Sequence, residues 1–331
     1  MPDFSRRDFL NNVGIGAATA AAFAATSSAS AAPKSTDKSL SGPYLDLATP
    51  EGNMNAYARL QGDLDSSKTK YGWYKGMVSA VMPNKAVKDL FIMEGFSCAR
   101  LLPLEDGPGY RKVLREVGFY REQRFGRAGR IMQEWKNPLT KETVPVVPIA
   151  NDPFNFTISP YFPEPPNYGG LNKGEFPKIP FILPWEPAVY DNNVRLDTHI
   201  HLYYKNALDP ATWPRESSGE MNRVSEFFLY NIDLDDLQNE KLTTCPSRGS
   251  WSRITPWLPW MLMGQTPGHI VYQCFMGDVK NLDELPEDLV AAADELDPKF
   301  LEAPTEDYGP SLSSLENYAR EQKPAPVKPA E

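Results

Sequence analysis

The sequence predicts a mainly antiparallel β protein: a barrel or a strongly bent sheet of general lipocalin-like shape, with one short C-terminal helix. Three observations carry this. Aromatic and β-branched runs of strand length recur along the chain, short Gly-, Pro- or Asn-rich connections separate them, and one stretch alone has convincing helical periodicity. Short connections make neighbouring strands antiparallel, because a parallel pair needs a long crossover.

The first 31 residues stand apart from that pattern. "SRRDFL" (Ser5–Leu10) matches the twin-arginine export pattern, and "ASA" (Ala29–Ala31) offers the small residues that a signal peptidase reads. Between them, Val13–Ala25 is mildly apolar and too short to span a bilayer. The expected mature chain starts at Ala32. It is carried folded by the twin-arginine translocase to a periplasmic or secreted location, without stable membrane insertion. Residues 32–44 are expected to form a flexible lead-in and residues 45–304 a single β-rich domain. Residues 305–331, ending "KPAPVKPAE", are expected to form a disordered Pro-rich tail.

Strand runs are expected at Tyr71–Met82, Phe91–Leu104, Tyr110–Tyr120, Val144–Ala150, Arg223–Ile232 and His269–Val279. "NPLTKE" (Asn137–Glu142) reads as a hairpin turn. Pro160–Pro180 has too many prolines and glycines for regular structure and reads as a long, lid-like loop. The clearest strand is "VRLDTHIHLYY" (Val194–Tyr204). Val194, Leu196, Thr198, Ile200, Leu202 and Tyr204 point one way; Arg195, Asp197, His199, His201 and Tyr203 point the other. Leu282–Leu296 is the expected helix, with acids in its first turn.

Some charges fall on apolar faces. Glu116 shares a face with Leu114 and Tyr120, while Arg111 and Arg115 share the other with Val113, Val117 and Phe119. Glu226 lies on the face of Val224, Phe228, Tyr230 and Ile232. Charges so placed are costly unless paired, so they tend to line a cavity, or else they reach solvent at a barrel end.

Composition narrows the function. A net charge of −9 without basic clusters argues against nucleic acid or an anionic membrane surface as partner. The three cysteines have no CxxC spacing, so at most one disulfide is expected and no zinc or iron–sulfur site. Neither GxSxG nor a phosphate loop occurs, and no organic cofactor is expected.

Two candidate sites remain. His199 and His201 leave one strand face with Asp197 beside them, which suits a metal if another strand adds ligands; a solvated face is the alternative. The second candidate joins Asp152 of "NDP", Arg215 and Glu216 of "WPRESSG", Glu226, and Trp251, Arg253, Trp257 and Trp260 of the tryptophan–proline stretch. Aromatic walls with a few convergent charges suit a small apolar molecule. An arginine would fix a carboxylate, phenolate or carbonyl oxygen, and Asp152, Glu216 or Glu226, partly buried, would transfer protons. The alternative is that the tryptophans cap one barrel end as ordinary core. The expected function is a lyase, isomerase or hydratase. A non-catalytic binding protein and a metal-dependent enzyme are the alternatives.

"YGWYKG", "EGFSCARLLPL", "NDPFNF", "WPRESSG" and "SWSRITPWLPWMLMGQTPGH", with the twin-arginine leader, resemble the bacterial family called domain of unknown function 1838. The likeness covers roughly Leu45 to Pro304. It implies a stand-alone exported protein of environmental, often catabolic, bacteria and assigns no activity or catalytic residue.

Overall fold

The computed structural model describes residue 40 and residues 42–164, 168, 174–188 and 191–327. The twin-arginine leader and part of the expected lid lie outside the described residues. One long antiparallel path runs through the sheet. It comprises β1 (Lys70–Val81), β2 (Lys88–Pro103), β3 (Tyr110–Arg124), β4 (Arg127–Ile131), β9 (Trp185–Pro187), β10 (Asn193–Lys205), β11 (Met221–Asp233), β12 (Arg248–Thr255) and β13 (His269–Val279). Their spatial order is β4-β3-β2-β1-β13-β12-β11-β10-β9. Two short strands, β7 (Ile149–Asn151) and β8 (Phe156–Ile158), also pair with β3, making an eleven-stranded sheet. A separate hairpin, β5 (Glu134–Lys136) with β6 (Thr143–Pro145), turns through Asn137–Glu142 as expected.

The sheet bends strongly but does not close. Its outermost strands, β4, β7 and β8 on one side and β9 on the other, are not bonded to each other. β10 shows why the chain folds with one face inward: Val194, Leu196, Thr198, Leu202 and Tyr204 are buried, whereas Asp197, His201 and Tyr203 are exposed. Two adjacent glycines shape the concave face. Gly95 and Gly118 stand opposite each other in the β2–β3 register, and the Tyr74 ring lies across both. A Cβ at Gly95 would fall 2.4 Å from Tyr74 Oη, and one at Gly118 2.7 Å from it.

Helices cover the open seam. α1 (Pro50–Gln61) packs Tyr57 and Leu60 among Leu101 and Ile158 on one side and Trp185, Val194 and Leu196 on the other. Asn53 fastens it: its Oδ1 accepts from Leu183 N and from Trp185 Nε1 at 2.7 Å. The single turn α2 (Leu234–Leu237) follows β11, and its Leu237 carbonyl receives the buried Arg59 guanidinium. α3 (Glu287–Leu296) is the later part of the helix expected over Leu282–Leu296, whose start is a separate 3₁₀ turn (Leu282–Glu284) ahead of Pro286. It packs Leu289 and Ala293 on the convex side against Phe96, Val117 and Phe119.

The tail departs from expectation. Ser313 and Glu316 form a capping box that starts α4 (Ser314–Glu321), where a disordered tail was expected from Thr305. Asn317 Nδ2 then donates to Asn151 Oδ1, so α4 docks on β7. No helix among the described residues is long and apolar enough to cross a membrane.

Candidate functional site

Between α1, α4 and the concave face lies a cavity of about 270 Å³, close to the lower bound of small-molecule sites. Its polar groups recur four residues apart on three strands. Lys70 and Tyr74 lie on β1, Lys112 and Glu116 on β3, and Tyr230 and Glu226 on β11. Four strand residues span roughly 13 Å. The intervening inward positions, Gly72, Leu114 and Phe228, together with Met276 and Trp251, make an apolar waist. The cavity therefore has two polar poles.

At one pole Glu116 accepts a hydrogen bond from Asn151 Nδ2 at 2.8 Å, and beside it stands Tyr74, whose hydroxyl donates to the Val117 carbonyl at 3.4 Å. Burial pushes the Glu116 carboxyl up, and the charge of Glu226 adds to that; Asn151, Tyr74 and Arg253 pull the other way and lose. Glu226 and Arg253 stand opposite each other in the β11–β12 register and pair at 3.4 Å. At the other pole burial draws the Lys112 ammonium down to about 7, helped by the charge of Lys70. Lys112 Nζ donates to Gln61 Oε1 at 2.8 Å and lies 5.2 Å from the centre of the Phe156 ring. Lys70 has a true counter-ion in Asp278, 3.2 Å away, and also donates to the carbonyls of Arg59 and Cys245.

The family described as protein of unknown function, DUF1838, matches residues 67–322, from just before β1 to the end of α4. The chain belongs to this family. Among curated proteins no match was found.

Three of the residues singled out from the sequence meet in the cavity of this DUF1838 protein: Glu226, Trp251 and Arg253. Trp257 and Trp260 do not reach it. They plug one end of the bent sheet, where Trp260 packs against Phe91, Tyr120 and Trp135 with centroids 5.2–5.7 Å apart. Trp257 is fixed by Nε1 donating to Thr266 O at 2.8 Å. Both border a smaller void of about 80 Å³ that Arg253 and Glu216 also touch. Glu216 is buried there, and its Oε1 accepts from Ala325 N at 2.5 Å, so it holds the segment after α4.

Asp152 and Arg215 lie outside both spaces, and this corrects their expected place beside the aromatic wall. On β7, Asn151 faces the cavity, so period-two alternation turns Asp152 away, to Arg115 at 3.0 Å, Lys299 at 3.1 Å and the Tyr308 hydroxyl. Arg215 is spent on a two-pronged pair with Glu142 at 2.6 and 2.7 Å and on the carbonyl of Pro326.

His199 and His201 stand on the opposite face of β10 from the cavity, ring centroids 5.1 Å apart, with Asp197 exposed beside them. His201 Nδ1 meets Ser225 Oγ at 3.0 Å. Among the described residues no group of three or more His, Cys, Asp or Glu is placed to hold a metal ion. Cys98, Cys245 and Cys274 are buried free thiols.

Sequence reasoning flagged Glu116 without joining it to the site, and missed Lys112, Lys70, Tyr74 and Asn151. A signal for Lys112 was present, because it shares the parity of Leu114 and Glu116 on one strand.

Proposed function

We propose that this protein is an exported acid/base enzyme of lyase, isomerase or hydratase type that acts on a small apolar molecule. The observation that carries this reading is Glu116: a buried carboxyl held up by burial, hydrogen-bonded by Asn151 and flanked by Tyr74, at the end of an apolar cavity. Such a group can accept a proton from carbon or deliver one, which contributes roughly 10²–10⁴-fold to a rate. Arg253, anchored by Glu226, is the donor that would stabilise an enolate or alkoxide oxygen. This proton inventory requires no organic cofactor. Export rests on Arg6 and Arg7, and replacing both with Lys is expected to retain the precursor in the cytoplasm.

The reading is tested by hydrogen exchange. The mature protein is incubated in D₂O with carvone or propiophenone, and the α-proton signals of each ketone are followed by NMR. Exchange well above the buffer rate is expected for a ketone that binds, with a loss of at least tenfold in Glu116→Gln and unchanged binding. A ketone that binds without exchanging any proton would make the protein a carrier.

A further inference from the structure

We propose that Lys112 forms an anion subsite, so that the cavity selects apolar molecules bearing a carboxylate at one end. This rests on the cavity being a ligand site and not on Glu116 performing chemistry. Three cations line the cavity, and two have a carboxylate counter-ion: Lys70 in Asp278 and Arg253 in Glu226. Lys112, only 9% exposed, has no ion pair among the described residues and meets one neutral amide oxygen and the face of an aromatic ring. Burying an ammonium in that state is costly, and a ligand carboxylate would supply the missing charge.

The neighbouring groups match two carboxylate oxygens. Gln61 accepts from Lys112 through Oε1 and donates through Nε2 to Tyr230 Oη at 3.4 Å. The Tyr230 hydroxyl, an acceptor in that contact, keeps its proton to donate. One oxygen then takes Lys112 and the other Tyr230. A single cation among apolar walls fits a single negative charge better than a phosphate. The opposite pole, roughly 13 Å along the strand, sets an elongated ligand whose far end reaches Glu116.

The test compares 5-phenylpentanoate with its methyl ester by titration calorimetry on the mature protein. The acid is expected to bind the parent at least tenfold more tightly than the ester. Lys112→Met should erase that preference while leaving ester binding unchanged, and Glu116→Gln should keep it. At pH 8, binding of the acid should take up protons in the parent and not in Lys112→Met, seen as a heat that varies with buffer ionisation enthalpy. Lys70 faces Lys112 and favours the neutral amine, whereas Asp278 and Glu116 oppose it, so the bound carboxylate tips the balance to the ammonium. Equal binding of acid and ester by the parent, or a preference that survives in Lys112→Met, overturns the subsite. Binding of neither compound overturns the cavity reading as well. A preserved carboxylate preference without ketone exchange would overturn the enzyme reading alone.

Discussion

β2, β3 and β12 run through both ends of the concave face, and the two ends are built in opposite ways. At one end Phe91, Tyr120, Trp257 and Trp260 interlock with Trp135 and leave a void of only about 80 Å³. At the other, Tyr74, Met93, Phe228 and Trp251 stand around empty volume. Aromatic content does not separate the two. What differs is the number of charges: Lys70, Lys112, Glu116, Glu226, Arg253 and Asp278 line the larger space, whereas the smaller one meets Glu216, Glu321 and, shared with the larger, Arg253. Charged groups keep their own solvation shells or counter-ions and resist being packed over, so the void persists where they converge. A pocket in this fold is thus marked by its inward charges and not by its tryptophans.

The sharpest way to break that contrast is to hollow out the tighter end. Trp260→Ala is expected to cost about 3–5 kcal/mol by denaturant unfolding, because the aromatic partners around it cannot collapse into the space. A loss under about 1 kcal/mol would show that the plug is soft. Next comes the ion pair. Glu226→Ala strands the Arg253 guanidinium and is expected to cost roughly 3 kcal/mol, while Glu226→Ala with Arg253→Met recovers most of the loss.

Lys112→Met should act with the opposite sign. The folded state holds this ammonium down near 7, so its stability is fully present above about 10.5 and is lost as pH falls toward 7. The variant is therefore expected to exceed the parent by on the order of 1 kcal/mol at pH 7, with the gap closing toward pH 10.5 in a series of melting curves. Glu116→Gln is the smallest effect, under about 1 kcal/mol. The Glu116 carboxyl is held up, so its contribution is fully present below the ordinary carboxylate range and is lost as pH rises through the raised value. Parent and variant should match near pH 4, and the variant should gain as pH approaches neutrality.

The strands were the legible part of the chain, and β10 most of all, since its alternation survives unbroken from Val194 to Tyr204. β12 escaped notice because its eight residues lead directly into the Pro256–Pro259 run, which masks them. α1 hides for a different reason. Covering a seam, it buries Asn53 and Arg59 as well as apolar residues, and a helix buried on several sides has no single apolar stripe. α4 was readable from its Ser-x-x-Glu start, a signal outweighed by the Pro-rich composition around it. Parity found Glu226, whereas Trp251 and Arg253 were picked out by residue type in the tryptophan–proline stretch. Applied to β7, parity would have chosen Asn151 over Asp152.

The seam that α1 and α4 cover is shut by long-range contacts. The contacts that shut it join residues far apart in sequence: Trp185 to Asn53 across 132 positions, Asn317 to Asn151 across 166, and Leu45 to Gln238 across 193. Closing such loops is entropically slow, and so is joining β1 to β13, where Tyr71 lies opposite Val279. The cavity is accordingly closed by the same kind of long-range contact that holds the sheet together. A molecule held between Lys112 and Glu116 would bridge strands and seam together and slow the reopening that unfolding requires.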